Sequence, residues 1–173
     1  MAEAKPLGGL AMRATIDPES RVRDAHHDAL RLWLRLFTCS TLLERAIRVR
    51  LRRDFNTTLP RFDLLAQLER SPEGLKMGEL SKRLMVTGGN ITGLTDQLVR
   101  EGLVRRQPIS GDRRAFAVKL TRKGKHAFDA MASAHEQWVI RLLAGLSVAE
   151  RRSLYALLGR AKAAVRSVEE ERA

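Results

Sequence analysis

The chain has 173 residues, 44% apolar and 5% aromatic, which suits one domain with a core of Leu, Val and Ala rather than of rings. Lys and Arg number 32 against 20 for Asp and Glu, a net charge of +12 that points to a polyanionic partner, either nucleic acid or an anionic membrane surface. The single cysteine, Cys39, excludes an internal disulfide framework and a Cys-based metal cluster, and there is neither a signal-peptide pattern nor an apolar run long enough to span a membrane, so a cytoplasmic, reducing setting is expected.

Residues 1–22 mix Gly, Pro and small side chains with no steady period and are expected to form a flexible arm. Over 23–56 the apolar positions Leu30, Trp33, Leu34, Phe37, Leu43, Ile47 and Leu51 recur at helical spacing. Leu32, Leu36 and Leu42 widen that stripe beyond one face, so this helix is expected to be covered on two sides, which in a small protein suggests a partner chain. Thr57-Thr58-Leu59-Pro60 is a helix start: Thr can cap, and Pro is harmless in a first turn whose N–H groups have no helical partners. That helix carries Phe62, Leu65, Ala66 and Leu68 and stops at Ser71-Pro72-Glu73-Gly74.

A short helix is predicted over 77–85, with Leu80 and Leu84 inward, and another over 88–101, with Ile91, Leu94 and Leu98 inward and Gly102 as its stop. The period then becomes strand-like. Residues 103–107 form one predicted strand, ended by Pro108, and 115–120 the second. Thr121 caps the next helix, which carries Phe128, Met131, His135, Trp138, Val139 and Leu142. Ser147 and Glu150 spell a capping box. The last helix follows with Leu154, Leu157, Leu158, Ala161 and Val165, and 169–173 should fray.

Two short helices joined by a tight turn, followed by a hairpin, spell a winged helix-turn-helix. The fold class is therefore mainly α with a small β-hairpin wing and a helical dimerisation region. The charge agrees: residues 70–125 hold 13 basic and 5 acidic side chains, a net of +8 within the chain's +12. In such an arrangement the second helix of the pair enters a major groove. Its start reads Thr87, Gly88, Gly89, Asn90, Ile91, Thr92. Glycines let the backbone approach a phosphate, and free N–H groups at a helix start favour an anion. Asn90 suits adenine, Thr92 can donate, accept or touch a thymine methyl, and Gln97 is a second possible reader. The bland alternative, a loop followed by solvated polar residues, is disfavoured by the hairpin and the charge.

The tip of the hairpin carries Asp112, Arg113 and Arg114. An arginine inserted into a narrow, strongly negative minor groove gains from its potential. Asp112 and Arg114 are two apart in extended chain and share a face, so the carboxylate can hold the Arg114 guanidinium ready, while Arg113 is better placed for phosphate. A solvated ion pair would explain Asp112 but not the surrounding charge.

Three stretches, "LSKRLMVTGGNITGLTDQL" (80–98), "LVREGLVRR" (98–106) and "GDRRAFAVKLTRKGK" (111–125), resemble the multiple-antibiotic-resistance-regulator (MarR) family, as does the order of elements over about 25–168. The wing's Asp-x-Arg, Asp112 and Arg114, is the most specific element. The resemblance implies a homodimer whose first and last helices interlock and which binds double-stranded DNA at a pseudo-palindromic operator, usually as a repressor relieved by a small ligand. It implies Thr87, Asn90 and Thr92 as readers, with Arg114 in the minor groove. It divides the chain into a dimerisation helix (23–56), a DNA-binding lobe (57–121) and C-terminal dimerisation helices (122–168). Leu154, Leu157, Leu158, Ala161 and Val165 then become dimer contacts.

In this family an effector pocket lies between the first two helices and the DNA-binding lobe. Trp33, Arg35, Phe37, Arg61, Phe62, His135 and Trp138 could pair an aromatic body with a cation there, although Trp33 and Trp138 read equally as core. The stretch "LWLRLFTCSTLLERAIRVRLRRDF" followed by "TLPRFDLLAQL" resembles the branch that answers aromatic acyl-CoA thioesters. Arg45, Arg48 and Arg52 share a helix face that could meet such a ligand's phosphates, or could simply be a solvated basic face with a Glu44–Arg48 pair. The effector is thus expected to be an aromatic acid or its CoA thioester. Cys39 reads as packing, and His26, His27, His126 and His135 have no metal-ligand spacing. No cofactor, metal or membrane role is expected, and no nucleophile–base pair or phosphate loop nominates an enzyme. The rival reading is an architectural protein that coats DNA without a preferred site.

Overall fold

The structure, a computed structural model, describes residues 27–109 and 112–171, with side chains from Phe116 onward in the second stretch. The chain divides into two compact units between Glu44 and Arg45, within α1 (Asp28–Phe55). In the N-terminal unit Trp33 and Phe37 stack with ring centroids 5.9 Å apart, Arg31 lies 3.7 Å from Asp28, and the Ser40 hydroxyl donates to the Phe37 carbonyl at 2.9 Å. Leu32, Trp33, Phe37 and Leu42 are exposed. The predicted arm and the first predicted helical residues, up to His26, lie outside the described residues.

The second unit continues through α2 (Leu59–Glu69), β1 (Leu75–Lys76), α3 (Met77–Leu84), α4 (Gly88–Arg100), β2 (Val104–Ile109), β3 (Asp112–Leu120), α5 (Arg122–Leu142) and α6 (Val148–Glu170). Its three strands form an antiparallel sheet in the order β1-β3-β2. The core gathers where α2, α3 and α4 meet the sheet and α5. Leu51, Leu64, Leu65, Leu68, Leu80, Ile91, Leu98, Val104 and Val118 are almost wholly removed from water, each burial stabilising by roughly 1.5–3 kcal/mol.

Three strand expectations need correction. β1 was not foreseen, because two residues are too few to show a period of two; Leu75 and Lys76 pair with Val118 and Ala117. Pro108 does not end β2, which continues to Ile109. β2 is an edge strand, where a missing N–H is tolerated, and the register shifts just after Pro108. The partner strand likewise begins at Asp112 rather than at Ala115. At the C-terminus α6 stays helical to Glu170, past the expected fraying point at 169.

The caps show why the helices start where they do. Ser147 and Glu150 make the reciprocal capping box. Thr121 accepts from the Gly124 N–H at 2.9 Å and donates to the Gly102 and Leu103 carbonyls at 2.7 and 3.1 Å. A Cβ on Gly124 would sit 1.8 Å from the Leu103 carbonyl oxygen, so only glycine lets α5 start this close to β2. Thr58, in contrast, occupies the N-cap of α2 without a side-chain cap bond.

Candidate nucleic-acid interface and adjoining cleft

α4 turns Ile91, Thr95 and Leu98 into the core and leaves Thr87, Gly88, Gly89, Asn90, Thr92, Gly93 and Gln97 exposed. The spacing of the buried residues dictates this: one side of a helix is taken, so the polar and glycine positions share the other. Thr87 is the N-cap in extended conformation, and its hydroxyl makes no cap bond, so the first-turn N–H groups have no side-chain acceptor from it. Thr92 donates its hydroxyl back to the Gly88 carbonyl at 2.9 Å and keeps its acceptor capacity. A Cβ on Gly88, Gly89 or Gly93 would meet nothing within 4 Å. In the helix interior such a glycine costs about 0.8–1 kcal/mol against alanine, and no contact among the described residues demands any of the three.

The hairpin closes with Ile109 opposite Asp112. The backbone of Asp112, Arg113 and Arg114 is part of β3, while their side chains, and with them the expected Asp112–Arg114 pair, lie outside the described residues. At the root of the hairpin Arg106 of β2 is ion-paired with Asp96 of α4. This contact fixes the strand against the helix and went unforeseen, since its partners lie ten positions apart. Lys123 adds a bond from its Nζ to the Glu101 carbonyl at 2.8 Å.

Beside the C-terminal end of α4 lies a cleft of about 590 Å³ lined by Arg52, Phe55, Arg61, Leu65, Glu101 and Met131, among others. Arg61 meets Glu101 end-on: Nη1 donates to Oε1 at 2.7 Å, and Nη2 donates to Oε2. The Arg61 side chain is 17% exposed, and its Nε is buried without an acceptor. The hydrogen bond from Arg61 holds the Glu101 carboxyl below its usual value of 4.5. A second cleft, of about 500 Å³, is lined by Phe62, Asp63, Arg70, Arg83, Phe128 and His135 among others.

The structure thus separates the sequence-predicted effector residues. Arg52 and Arg61 line the first cleft and Phe62 and His135 the second. Phe62 and Trp138 are core residues in a ring ladder: Phe128 to Phe62 at 5.6 Å, Phe62 to His135 at 5.0 Å, His135 to Trp138 at 6.5 Å. Burial pushes the His135 imidazole below 6.5, so it is neutral near pH 7. Arg45 and Arg48 are exposed, and Trp33, Arg35 and Phe37 belong to the N-terminal unit. Cys39, read as packing, is exposed. On α6, Leu154, Leu157, Leu158, Ala161 and Val165 are all exposed; this helix buries none of its residues. No cluster of three or more metal-ligating side chains occurs among the described residues, and none of the described helices is long and apolar enough to cross a membrane.

Residues 57–116 match the model of the MarR family. The chain is 34% identical over 101 residues to the HTH-type transcriptional regulator PecS of Dickeya dadantii (strain 3937), a match covering 57% of this chain and 61% of that protein. The chain therefore spans about three fifths of the length of this relative. It is 32% identical over 132 residues to the uncharacterized HTH-type transcriptional regulator YkoM of Bacillus subtilis (strain 168), covering 76% of this chain and 82% of YkoM. Among solved structures, Sco3205, a MarR family transcriptional regulator from Streptomyces coelicolor in complex with DNA, superposes with a TM-score of 0.69 at 25% identity, over 80% of this chain and 88% of that one.

Proposed function

The chain belongs to the MarR family, and on that premise we propose that it is a homodimeric, sequence-specific DNA-binding transcriptional regulator, a repressor released from a pseudo-palindromic operator by a small aromatic ligand. The observation that carries this reading is the outward face of α4. It holds a helix start with no side-chain cap bond, three glycines that no contact among the described residues requires, and Asn90, Thr92 and Gln97 beside them. In this reading α4 lies in the major groove, with Thr87, Asn90, Thr92 and Gln97 toward base edges and Gly88 and Gly89 against the phosphates. Arg113 and Arg114 on the wing reach phosphate and minor groove, with Asp112 orienting Arg114.

The exposed leucine stripe of α6 supports the dimer. It is apolar, lies on one helix face and is self-complementary under a two-fold axis, which would set two recognition helices about 34 Å apart. The first and last helices form the dimerisation region, and 57–121 the DNA-binding lobe. The effector is an aromatic acid or its CoA thioester. The relatives are described as transcriptional regulators, which favours regulation over catalysis.

Selection from a random duplex pool tests the reading. A regulator yields one palindrome, and Asn90→Ala then loses about 1–3 kcal/mol on that palindrome and less on random DNA. A protein that merely coats DNA enriches no sequence, and its Asn90→Ala variant binds all duplexes alike.

A further inference from the structure

We propose that α6 pairs with α6 of a second copy in antiparallel direction, and that Arg151 of each copy meets Glu169 of the other, fixing the direction and register of the pair. The inference rests on the homodimer reading above and adds how the two copies are set against each other.

The charges of α6 run against its own dipole. A helix favours carboxylates at its start and cations at its end. In α6 the one early carboxylate, Glu150, is committed to the capping box, and Arg151 and Arg152 follow it at once. The last turn has no basic side chain and holds Glu169 and Glu170. Glu169 is exposed, and its side chain has no hydrogen-bond or ion-pair partner among the described residues. Arg151 is exposed too, but its Nη1 donates to the Leu146 carbonyl. That bond steadies the guanidinium at the turn between α5 and α6 and leaves its other donors for a carboxylate.

The spacing of these two charges matches the leucine stripe. The eighteen positions from 151 to 169 make five turns at 3.6 residues per turn, so Arg151 and Glu169 stand on one line of the helix about 27 Å apart. Leu158 and Val165, seven and fourteen positions on from Arg151, place that line along the edge of the stripe. The stripe from Leu154 to Val165 and the pair of charges are both centred at about residue 160. A two-fold axis crossing the helix there lays stripe on stripe and, in the same act, sets Arg151 against Glu169 twice over. A parallel pairing would set Arg151 against Arg151 and Glu169 against Glu169. Arg152 and Glu170 repeat the spacing on the side away from the leucines, so they supply a control of equal charge.

The experiment measures the dimer dissociation constant of the full chain by sedimentation equilibrium at low and at high salt. Glu169→Arg is expected to weaken the dimer about tenfold at low salt, because two attractive contacts become repulsive, and less at high salt. Arg151→Glu acts in the same direction, and the double change Arg151→Glu, Glu169→Arg restores the association of the wild type. An equimolar mixture of the two single variants forms heterodimers in preference to either homodimer. Arg152→Glu stays within about twofold of the wild type, since it faces away from the contact. Circular dichroism verifies that every variant keeps its helix content. The pairing is overturned if Glu169→Arg associates as tightly as the wild type, if the double change restores nothing, or if Arg152→Glu weakens the dimer as much as Glu169→Arg does. In each of those cases the wild-type dimer, and the broader reading with it, still stands. A wild-type chain that sediments as a monomer removes the homodimer reading and this pairing together.

Discussion

α4 and α6 follow one template and meet opposite fates. In α4 Ile91, Leu94, Thr95 and Leu98 stand at i, i+3, i+4 and i+7; in α6 Leu154, Leu157, Leu158 and Ala161 repeat that spacing. Leu98 is 0% exposed, whereas Leu157 is 52% exposed. The stripe on α4 is covered by α2, α3 and β2 of the same chain, while α6 buries no residue at all. Periodicity therefore says that a face needs cover and is silent on who supplies it. The opposite faces differ too. Behind its buried stripe α4 presents glycines, Asn and Thr, a surface with little side-chain bulk, whereas α6 presents Arg152, Arg160 and Arg166, long charged side chains suited to water.

The largest expected effect comes from breaking the face that the chain leaves open. The double change Leu154→Asp, Leu158→Asp should abolish self-association in sedimentation experiments and, by removing the two-site clamp, reduce operator affinity by about 10²-fold or more. If the doubly charged chain sedimented as wild type and kept full affinity, a second copy would not be what covers α6. Next comes the face that the chain covers itself. Leu98→Ala should destabilise by about 2–5 kcal/mol in denaturant melts, because a fully buried leucine leaves a cavity that its neighbours only partly refill. The smallest effect sharpens the contrast on the outer side of α4. Gly93→Ala should raise stability by roughly 0.5–1 kcal/mol, since the added methyl meets nothing among the described residues and alanine is the better helix former. The same substitution should weaken DNA binding. A variant that gained stability and bound the selected duplex as well as wild type would take this face out of the groove.

Much of the fold was legible because its signals are local. The helix-turn-helix pair, the capping box of Ser147 and Glu150, the Thr121 cap and the stop at Gly102 all arise from residues within one turn of each other. The burial of Leu80, Ile91 and Leu98 follows from spacing alone. Other features escaped because they join distant positions. β1 needs a partner some forty residues on, Val118, to exist as a strand. Pro108 stays within β2 only because β2 lies at the sheet edge, which no local pattern encodes. Arg61 was recognisable as a cation near the effector region, but Glu101, forty positions away, was not recognisable as its partner. The burial of Trp138 and Phe62 also escaped, because their neighbours Phe55, Phe128 and His135 come from α1 and α5, brought together only by packing.

The amino-acid order by itself determined the helices, their caps, the hairpin, the concentration of positive charge around it and the outward polar start of α4. Each depends on backbone preference and side-chain period over a few residues, and charge simply adds along a chain. Only the tertiary structure decided that Arg61 grips Glu101, that Arg106 ties the wing strand to Asp96, and which of two identically spaced stripes the chain would cover. Those outcomes depend on which elements come within a few ångströms of one another, and packing, not spacing, sets that distance.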